Sequence, residues 1–141
     1  METIQEIQQE IIEEFDMFSD WMEKYDYLIE LGKGLPLISP AAKTEDNLIK
    51  GCQSKVWLDA EFNDGKIIFS ADSDAIITKG IIALMVRVLS NHTPEDIMHA
   101  DMGFIDQIGL KEHLSPTRAN GLLAMIKQMK FYALAFQSKS N

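Results

Sequence analysis

The amino-acid sequence predicts an α+β fold in which a small antiparallel sheet packs against helices. Three observations favour this class. Apolar residues recur at helical spacing over residues 4–31, alternate with a period of two over residues 56–71, and return to helical spacing from residue 76 onward. The chain has 141 residues, 46% of them hydrophobic, which is near the commonest size of one domain. We therefore expect a single domain spanning residues 1–141.

The N-terminal part is predicted to form two helices. Isoleucines and phenylalanines recur at helical spacing over residues 1–18 with glutamates between them, which is typical of an amphipathic helix. Ser19 or Asp20 can cap a second helix. Gly32 and Gly34 are expected to end that helix, since glycine is the commonest residue just beyond a helix C-terminus.

A long loop and a β-hairpin are expected next. The loop, residues 35–50, is long for a compact domain, and such loops are often functional or mobile. The alternation beyond it predicts a hairpin with one face toward a core and a turn at 63–65. Trp57 falls on the polar face of this hairpin, so we expect a helix or a partner to cover it.

The second half is predicted to be helical. Ser73 or Asp74 is expected to open an almost uniformly apolar helix, which we interpret as the central buried one. Gly80 inside that helix costs about 1 kcal/mol relative to alanine, which indicates a close contact with another backbone. A shorter and a longer helix follow, because Thr93-Pro94 and Ser115-Pro116 each place a cap before a proline at the first helical position.

The chain ends and the overall composition lead to further expectations. Residues 137–141 are expected to form a frayed tail. The net charge of −9 argues against a nucleic-acid partner, because such binding depends on cations that neutralise phosphates. No apolar run approaches the roughly 20 residues that cross a bilayer, and the N-terminus lacks a signal-peptide pattern. We therefore expect no membrane partner and a cytoplasmic location, which the single cysteine also favours.

Metal, nucleotide and hydrolase sites are not predicted. The single cysteine and the three histidines, His92, His99 and His113, lack the ligand spacing of a zinc or iron–sulfur site. The sequence has no Walker loop, no Gly-x-Gly-x-x-Gly segment and no Gly-x-Ser-x-Gly elbow. A small hydrolase or thiol enzyme is thus an alternative for which the sequence contains no base or triad signature.

The single cysteine is the main candidate for a reactive group. Cys52 lies among polar residues at a junction between loop and strand, whereas a core cysteine usually has apolar neighbours. Positive charges and helix N-termini favour the nucleophilic thiolate. Lys50 and Lys55 flank the cysteine, and Arg118 falls in the first turn of the last helix. From these residues alone, a nucleophile and a partly buried structural thiol are both open interpretations.

Four separated segments resemble the SufE family, the sulfur-acceptor partners of cysteine desulfurases in iron–sulfur cluster assembly. GCQSKVW, residues 51–57, is similar to the cysteine motif of the family. YDYLIELGKGLP at 25–36, DSDAIITKGIIAL at 72–84 and LSPTRANGLLAMI at 114–126 resemble its helix-to-loop segment, its central helix and the opening of its last helix. These segments have the family's order and spacing, and they are spread over most of the chain beyond Trp21.

The resemblance implies a fold and a lack of cofactors. The family fold is α+β and similar to that of the IscU scaffold proteins, with about three antiparallel strands, whereas the residues alone indicated two. The desulfurase that donates the sulfur uses pyridoxal phosphate, and this chain is expected to bind neither that cofactor nor a metal. An IscU-type scaffold holds its cluster through several cysteines, so a single cysteine argues against that function.

The resemblance also implies a function. Cys52 is expected to accept sulfur as a persulfide from a SufS- or CsdA-like cysteine desulfurase, to stimulate that enzyme, and to pass the sulfur to a downstream scaffold complex for iron–sulfur clusters. The chain is then a sulfur carrier and accessory protein rather than a stand-alone enzyme. The alternative is a regulatory module that binds a desulfurase without carrying sulfur, with Cys52 incidental.

Supporting roles are expected for five further residues. Gly51 lets the loop turn or swing, since glycine tolerates backbone angles that other residues avoid. Gln53 and Ser54 are expected to hydrogen-bond near the sulfur. Arg118 either stabilises a thiolate or persulfide anion, docks on the desulfurase, or is a surface arginine; Asp74 is either functional or a helix cap. Because exposed thiols oxidise readily, we expect a pocket to cover the cysteine until a partner binds.

Overall fold

Six α-helices and a two-stranded antiparallel sheet make up the chain in this computed structural model, which describes residues 2–140. The elements are α1 (Ile4–Asp16), α2 (Trp21–Lys33), β1 (Val56–Asn63), β2 (Lys66–Ser73), α3 (Ile76–Leu89), α4 (Pro94–Met98), α5 (Phe104–Gln107) and α6 (Pro116–Ser140). Short 3-10 turns lie at Pro40–Ala42, Glu45–Asn47 and Lys111–His113. This architecture confirms the predicted α+β class. None of the described helices is both long and apolar enough to cross a bilayer.

The two N-terminal helices begin at side-chain caps. The Thr3 hydroxyl accepts from the Glu6 N–H while the Glu6 carboxylate accepts from the Thr3 N–H, which forms a capping box before α1. Asp20 caps α2, because its carboxylate accepts a hydrogen bond of 2.9 Å from the Glu23 N–H. Helix α1 ends at Asp16, two residues before the predicted end, and Met1 lies outside the described residues.

The contact between α2 and α3 explains two glycines. A Cβ atom at Gly80 would lie 2.2 Å from the carbonyl oxygen of Leu28, and one at Gly32 would lie 3.1 Å from the amide nitrogen of Gly80. The close backbone contact predicted for Gly80 is therefore confirmed. Gly32 does not end the helix as predicted. It lies inside α2, where it lets the two helix backbones approach, and Gly34 is the C-cap.

The hairpin follows the predicted alternation. The pairing runs from Val56 opposite Ser73 at the open end to Asn63 opposite Lys66 at the turn. The inward face is buried and joins the core that α3 crosses. The long loop covers part of Trp57, since the Lys43 ammonium lies 5.2 Å from the centre of its ring and Leu48 bridges to its backbone.

Single bridges occupy the sheet edges, and no third strand forms within the described residues. The bridges join Leu37 to Ala71, Leu48 to Trp57, and Ile67 to His92. Near Leu37 the backbone prevents the bridge from growing into the third strand that the family resemblance implies. Ala71 exchanges one pair of hydrogen bonds with Pro36 and Ile38, Pro36 has no N–H to donate, and Pro40 begins a 3-10 turn two residues later.

The central helix begins later than predicted. Because β2 continues to Ser73, α3 starts at Ile76, and its N-cap Ala75 provides no side-chain hydrogen bond. Asp74 is therefore not a helix cap. Most of α3 is buried, as expected, and it packs against α1, α2, α6 and β2.

The remaining caps agree with the sequence. The Thr93 hydroxyl accepts from the Asp96 N–H at 3.2 Å before α4, and the Ser115 hydroxyl accepts from the Arg118 N–H at 3.3 Å before α6. Residues 137–140, which belong to the tail expected to fray, continue α6. Asn141 lies outside the described residues.

Candidate functional site

Cys52 lies on a five-residue loop, residues 50–54, which we call the Cys52 loop. Its N-terminal end is fixed to the sheet, since the Ile49 N–H donates to the carbonyl oxygen of Val56 at 2.8 Å. One residue further out, Leu48 bridges to Trp57 on the free edge of β1. The chain therefore leaves the sheet at a defined point just before the cysteine.

The C-terminal end of the Cys52 loop is held by the junction between β2 and α3. The Asp74 carboxylate accepts from the Lys55 N–H at 3.0 Å, and the Asp74 N–H donates to the Lys55 carbonyl oxygen at 3.2 Å. The Ser73 hydroxyl donates to that same oxygen at 2.8 Å. Asp74 thus positions the stem of the loop.

A buried carboxylate anchors the longer segment that precedes the Cys52 loop. Asp72 pairs with Lys43 at 2.5 Å and with Lys79 at 3.4 Å, and its side chain is only 13% exposed. Burial by itself would raise the pKa of Asp72. Hydrogen bonds from Lys43 and the Ser73 N–H, together with the charge of Lys79, outweigh that effect and lower the pKa below its usual value. The carboxylate is charged at neutral pH and holds Lys43 against the sheet.

The Cys52 thiol is half-buried and points at the first turns of α6. Its sulfur donates a weak hydrogen bond of 3.6 Å to the carbonyl oxygen of Gly121. Burial raises the pKa of the Cys52 thiol, so the resting sulfur is less ionised than an exposed thiol at the same pH. A covered sulfur is what we expected of a thiol that must resist oxidation.

A small cleft of about 60 Å³ lies beside the sulfur. It is lined by Cys52, Gln53, Ser54, Thr78, Ile81, Thr117, Arg118, Gly121 and Met125. Thr78 belongs to the first turn of α3, and Thr117 and Arg118 belong to the first turn of α6. Helix N-termini carry partial positive charge, which opposes the effect of burial on an anion in the cleft, but the net effect on the resting Cys52 thiol is a raised pKa.

A larger open groove of about 540 Å³ follows the outer side of the same segment. It is lined by Glu45, Asp46 and the continuous stretch 48–55. The groove is open to solvent and includes Cys52 in its lining, so the loop borders a surface that a partner segment can reach.

The structure brings together most of the residues selected from the sequence. Gly51 has a φ of +95°, in the region that favours glycine, so its predicted conformational role is supported. Gln53 and Ser54 line the cleft, but among the described residues the hydrogen-bond partner of the sulfur is the Gly121 carbonyl instead. Arg118 lines the same cleft with an exposed side chain and forms no ion pair within the described part of the chain.

Sequence reasoning missed Gly121. The signal was present, because a glycine inside the helical segment LSPTRANGLLAMI indicates a close contact just as Gly80 does. Only the fold shows that the contact is with Cys52, 69 residues away in the chain.

Comparison with protein families gives one match over most of the chain. Residues 9–133 match the SufE model, described as an Fe-S metabolism associated domain. An uncharacterized SufE-like protein of Synechocystis is 37% identical over 127 residues, which is 90% of this chain and 80% of the relative. An uncharacterized SufE-like protein of Rhizobium meliloti is 39% identical over 128 residues, covering 86% of this chain and 90% of the relative.

One further relative is much longer, and one solved structure is similar in fold. SufE-like protein 1, chloroplastic/mitochondrial, of Arabidopsis thaliana is 38% identical over 132 residues, which cover 93% of this chain but only 36% of that longer protein. A solution structure of a hypothetical protein from Thermus thermophilus superposes with a TM-score of 0.78 and 21% identity, over 94% of this chain and 96% of the other. That likeness shows the fold.

Proposed function

Because the chain belongs to the SufE family, whose domain is associated with Fe-S metabolism, we propose that it is a sulfur-transfer protein. Cys52 accepts persulfide sulfur from a cysteine desulfurase that uses pyridoxal phosphate. The observation that carries this proposal is the placement of the chain's single thiol on a short loop with fixed ends, beside two helix N-termini and an open groove.

The proposed transfer is an exchange between sulfur atoms. The Cys52 thiol loses its proton, and the thiolate attacks the outer sulfur of the persulfide on the desulfurase cysteine. A new sulfur–sulfur bond forms on Cys52 while the old one breaks, and the desulfurase cysteine leaves as a thiolate that takes up a proton. No electrons are gained or lost overall, and no second cysteine is needed, which agrees with the cysteine content of the chain.

The half-buried thiol requires a movement of the Cys52 loop during this exchange. Its sulfur points at Gly121, whereas a donor persulfide approaches from the open groove. We place the hinge at Gly51, which has a positive φ here and, lacking a Cβ, tolerates backbone angles that other residues avoid. Lys55 is held by Asp74 and anchors the other end of the moving loop.

The proposed partners follow from the chemistry. A SufS- or CsdA-like desulfurase supplies the sulfur and is stimulated by its removal, and a scaffold complex for iron–sulfur clusters receives the sulfur next. A reducing compartment such as the cytoplasm suits a reactive lone thiol. In this proposal the chain is a carrier and activator rather than a stand-alone enzyme.

Intact mass spectrometry tests the proposal. The chain and Cys52→Ser are incubated briefly with a cognate cysteine desulfurase and L-cysteine. We expect the natural chain to gain one or more sulfur atoms that a reductant removes, and the variant to gain none and to lose stimulation of the desulfurase. Full stimulation by Cys52→Ser without any sulfur gain on the natural chain would refute the carrier function and favour a regulatory module.

A further inference from the structure

Gly121 stands out because its lack of a side chain makes room for the reactive sulfur. A Cβ atom at this position would lie 3.3 Å from Cys52 Sγ and 3.8 Å from both Cα and Cβ of the same cysteine. Those three atoms are its nearest non-neighbouring heavy atoms. Cys52 is therefore the residue that lies nearest to the space above Gly121.

A glycine inside a helix needs a reason of this kind. Glycine costs about 1 kcal/mol relative to alanine in a helix interior, and Gly121 is buried in α6, five residues after its start. Its φ is not in the positive region, so the backbone conformation of α6 does not require glycine here. Packing against Cys52 is the remaining reason.

Few side-chain hydrogen bonds hold the rest of the Cys52 loop in place. In the described part of the chain, the sulfur contact with Gly121 is the one hydrogen bond that ties a side chain of residues 50–54 to the remaining fold. The two ends of the loop are fixed through Ile49 and Lys55. The position of the loop between those ends thus depends on how well the thiol fits over Gly121.

From this geometry we infer that Gly121 is a positioning residue that sets how much of the time Cys52 is retracted. The inference rests on the proposed function and concerns its regulation. With glycine at 121 the sulfur packs on the helix backbone, and each added carbon pushes it toward the open groove. Release raises reactivity, since retraction both shields the sulfur from reagents and disfavours its ionised form.

Alkylation of the free protein tests this inference without any desulfurase. The rate of Cys52 modification by iodoacetamide is followed by mass spectrometry for the natural chain, Gly121→Ala and Gly121→Val. We expect about threefold faster labelling for alanine, whose Cβ displaces the sulfur by tenths of an ångström. We expect about tenfold faster labelling for valine, which corresponds to about 1.4 kcal/mol.

The pH profile of labelling separates retraction from a general loss of packing. The midpoint of rate against pH is expected to fall in the order glycine, alanine, valine, because a released thiol ionises more easily. Asn120→Ala is the matched control, since it improves helix propensity at an exposed neighbouring position of α6. Its rate and midpoint should equal those of the natural chain.

Two results would overturn the inference. One is an unchanged rate and midpoint in Gly121→Ala and Gly121→Val when circular dichroism shows both to be folded. The other is slower labelling of either variant. If valine prevents folding, the alanine variant alone decides. Because sulfur uptake is measured separately with the desulfurase, the positioning role of Gly121 and the carrier function fail independently.

Discussion

Arg118 is the cation nearest to the reaction among the residues that line the Cys52 cleft. Its backbone is fixed by the Ser115 cap, while its side chain is exposed and makes no ion pair within the described residues. Because no ion pair has to be broken, little free energy is needed to turn this side chain toward a ligand. It is available to an anion on Cys52 or to an acidic group of the desulfurase.

Arg118→Ala is therefore expected to slow sulfur uptake by Cys52 by about tenfold, because it removes a charge that favours the anion and the encounter. The measurement is the rate of sulfur gain by mass spectrometry at limiting desulfurase. Arg118→Lys should restore part of the rate, since the charge returns without the planar guanidinium. Stability should change by less than about 0.5 kcal/mol at this exposed position. If Arg118→Ala takes up sulfur at the natural rate, Arg118 has no role in the transfer and is a surface arginine.

An ion pair adds to the backbone bridges that attach the long segment before the Cys52 loop to the sheet. Asp72, on β2, forms ion pairs with Lys43 in that segment and with Lys79 on α3. Removal of the Asp72 charge takes away the carboxylate that both partly buried lysines share, and a buried charge left without its partner is costly. The attachment therefore depends on pH. Because the pKa of Asp72 is lowered, the ion pairs are present at neutral pH and are lost in acid.

Asp72→Asn is expected to lower the free energy of unfolding by about 1–3 kcal/mol at pH 7. A carboxylate with a lowered pKa stabilises the fold above its ordinary pKa, and this stabilisation is lost as the pH falls through the lowered value. The difference between the natural chain and the variant should therefore vanish in acid, as measured by urea unfolding across pH. Glu30→Gln is the control, because its ion pair with Lys33 is about two-thirds exposed on both sides and contributes little. A difference that persists unchanged below that pKa would contradict the electrostatic explanation.

The contact between α2 and α3 joins the N-terminal helices to the rest of the core. Leu28 and Gly80 meet there, and both are buried in the same hydrophobic cluster as the sheet and α6. Because one continuous core links these elements, we propose that residues 1–141 fold as a single cooperative domain.

Gly80→Ala is expected to destabilise the whole molecule by about 3 kcal/mol, since its Cβ would lie 2.2 Å from the Leu28 oxygen and the backbones must separate. Unfolding followed by far-ultraviolet circular dichroism and by tryptophan fluorescence should remain one coincident transition, shifted to lower denaturant. Gly34→Ala is the matched control, because its Cβ would meet only the Leu31 oxygen at 3.7 Å. Separate transitions from the two probes would contradict a single cooperative domain.

Much of the fold was predictable because its signals are local. The caps at Asp20, Thr93 and Ser115 depend on residues within one helical turn, and the hairpin depends on a period of two and a turn. The family was also predictable, because short segments occur in a fixed order. The family resemblance then indicated Cys52 as the candidate nucleophile before any contact was known. Local signals misled at Gly32, since a glycine that ends a helix and one that lets two helices touch are the same letter in the sequence.

The sequence by itself determined the α+β class, the family and the identity of the candidate nucleophile. Only the tertiary structure decided that Asp74 binds Lys55 instead of capping α3, and that Gly121 lies beneath the sulfur of Cys52. It also decided that single bridges replace a third strand within the described residues. The physical reason is distance along the chain. Periodicity and caps are properties of neighbouring residues, whereas these contacts form only when segments tens of residues apart pack against each other.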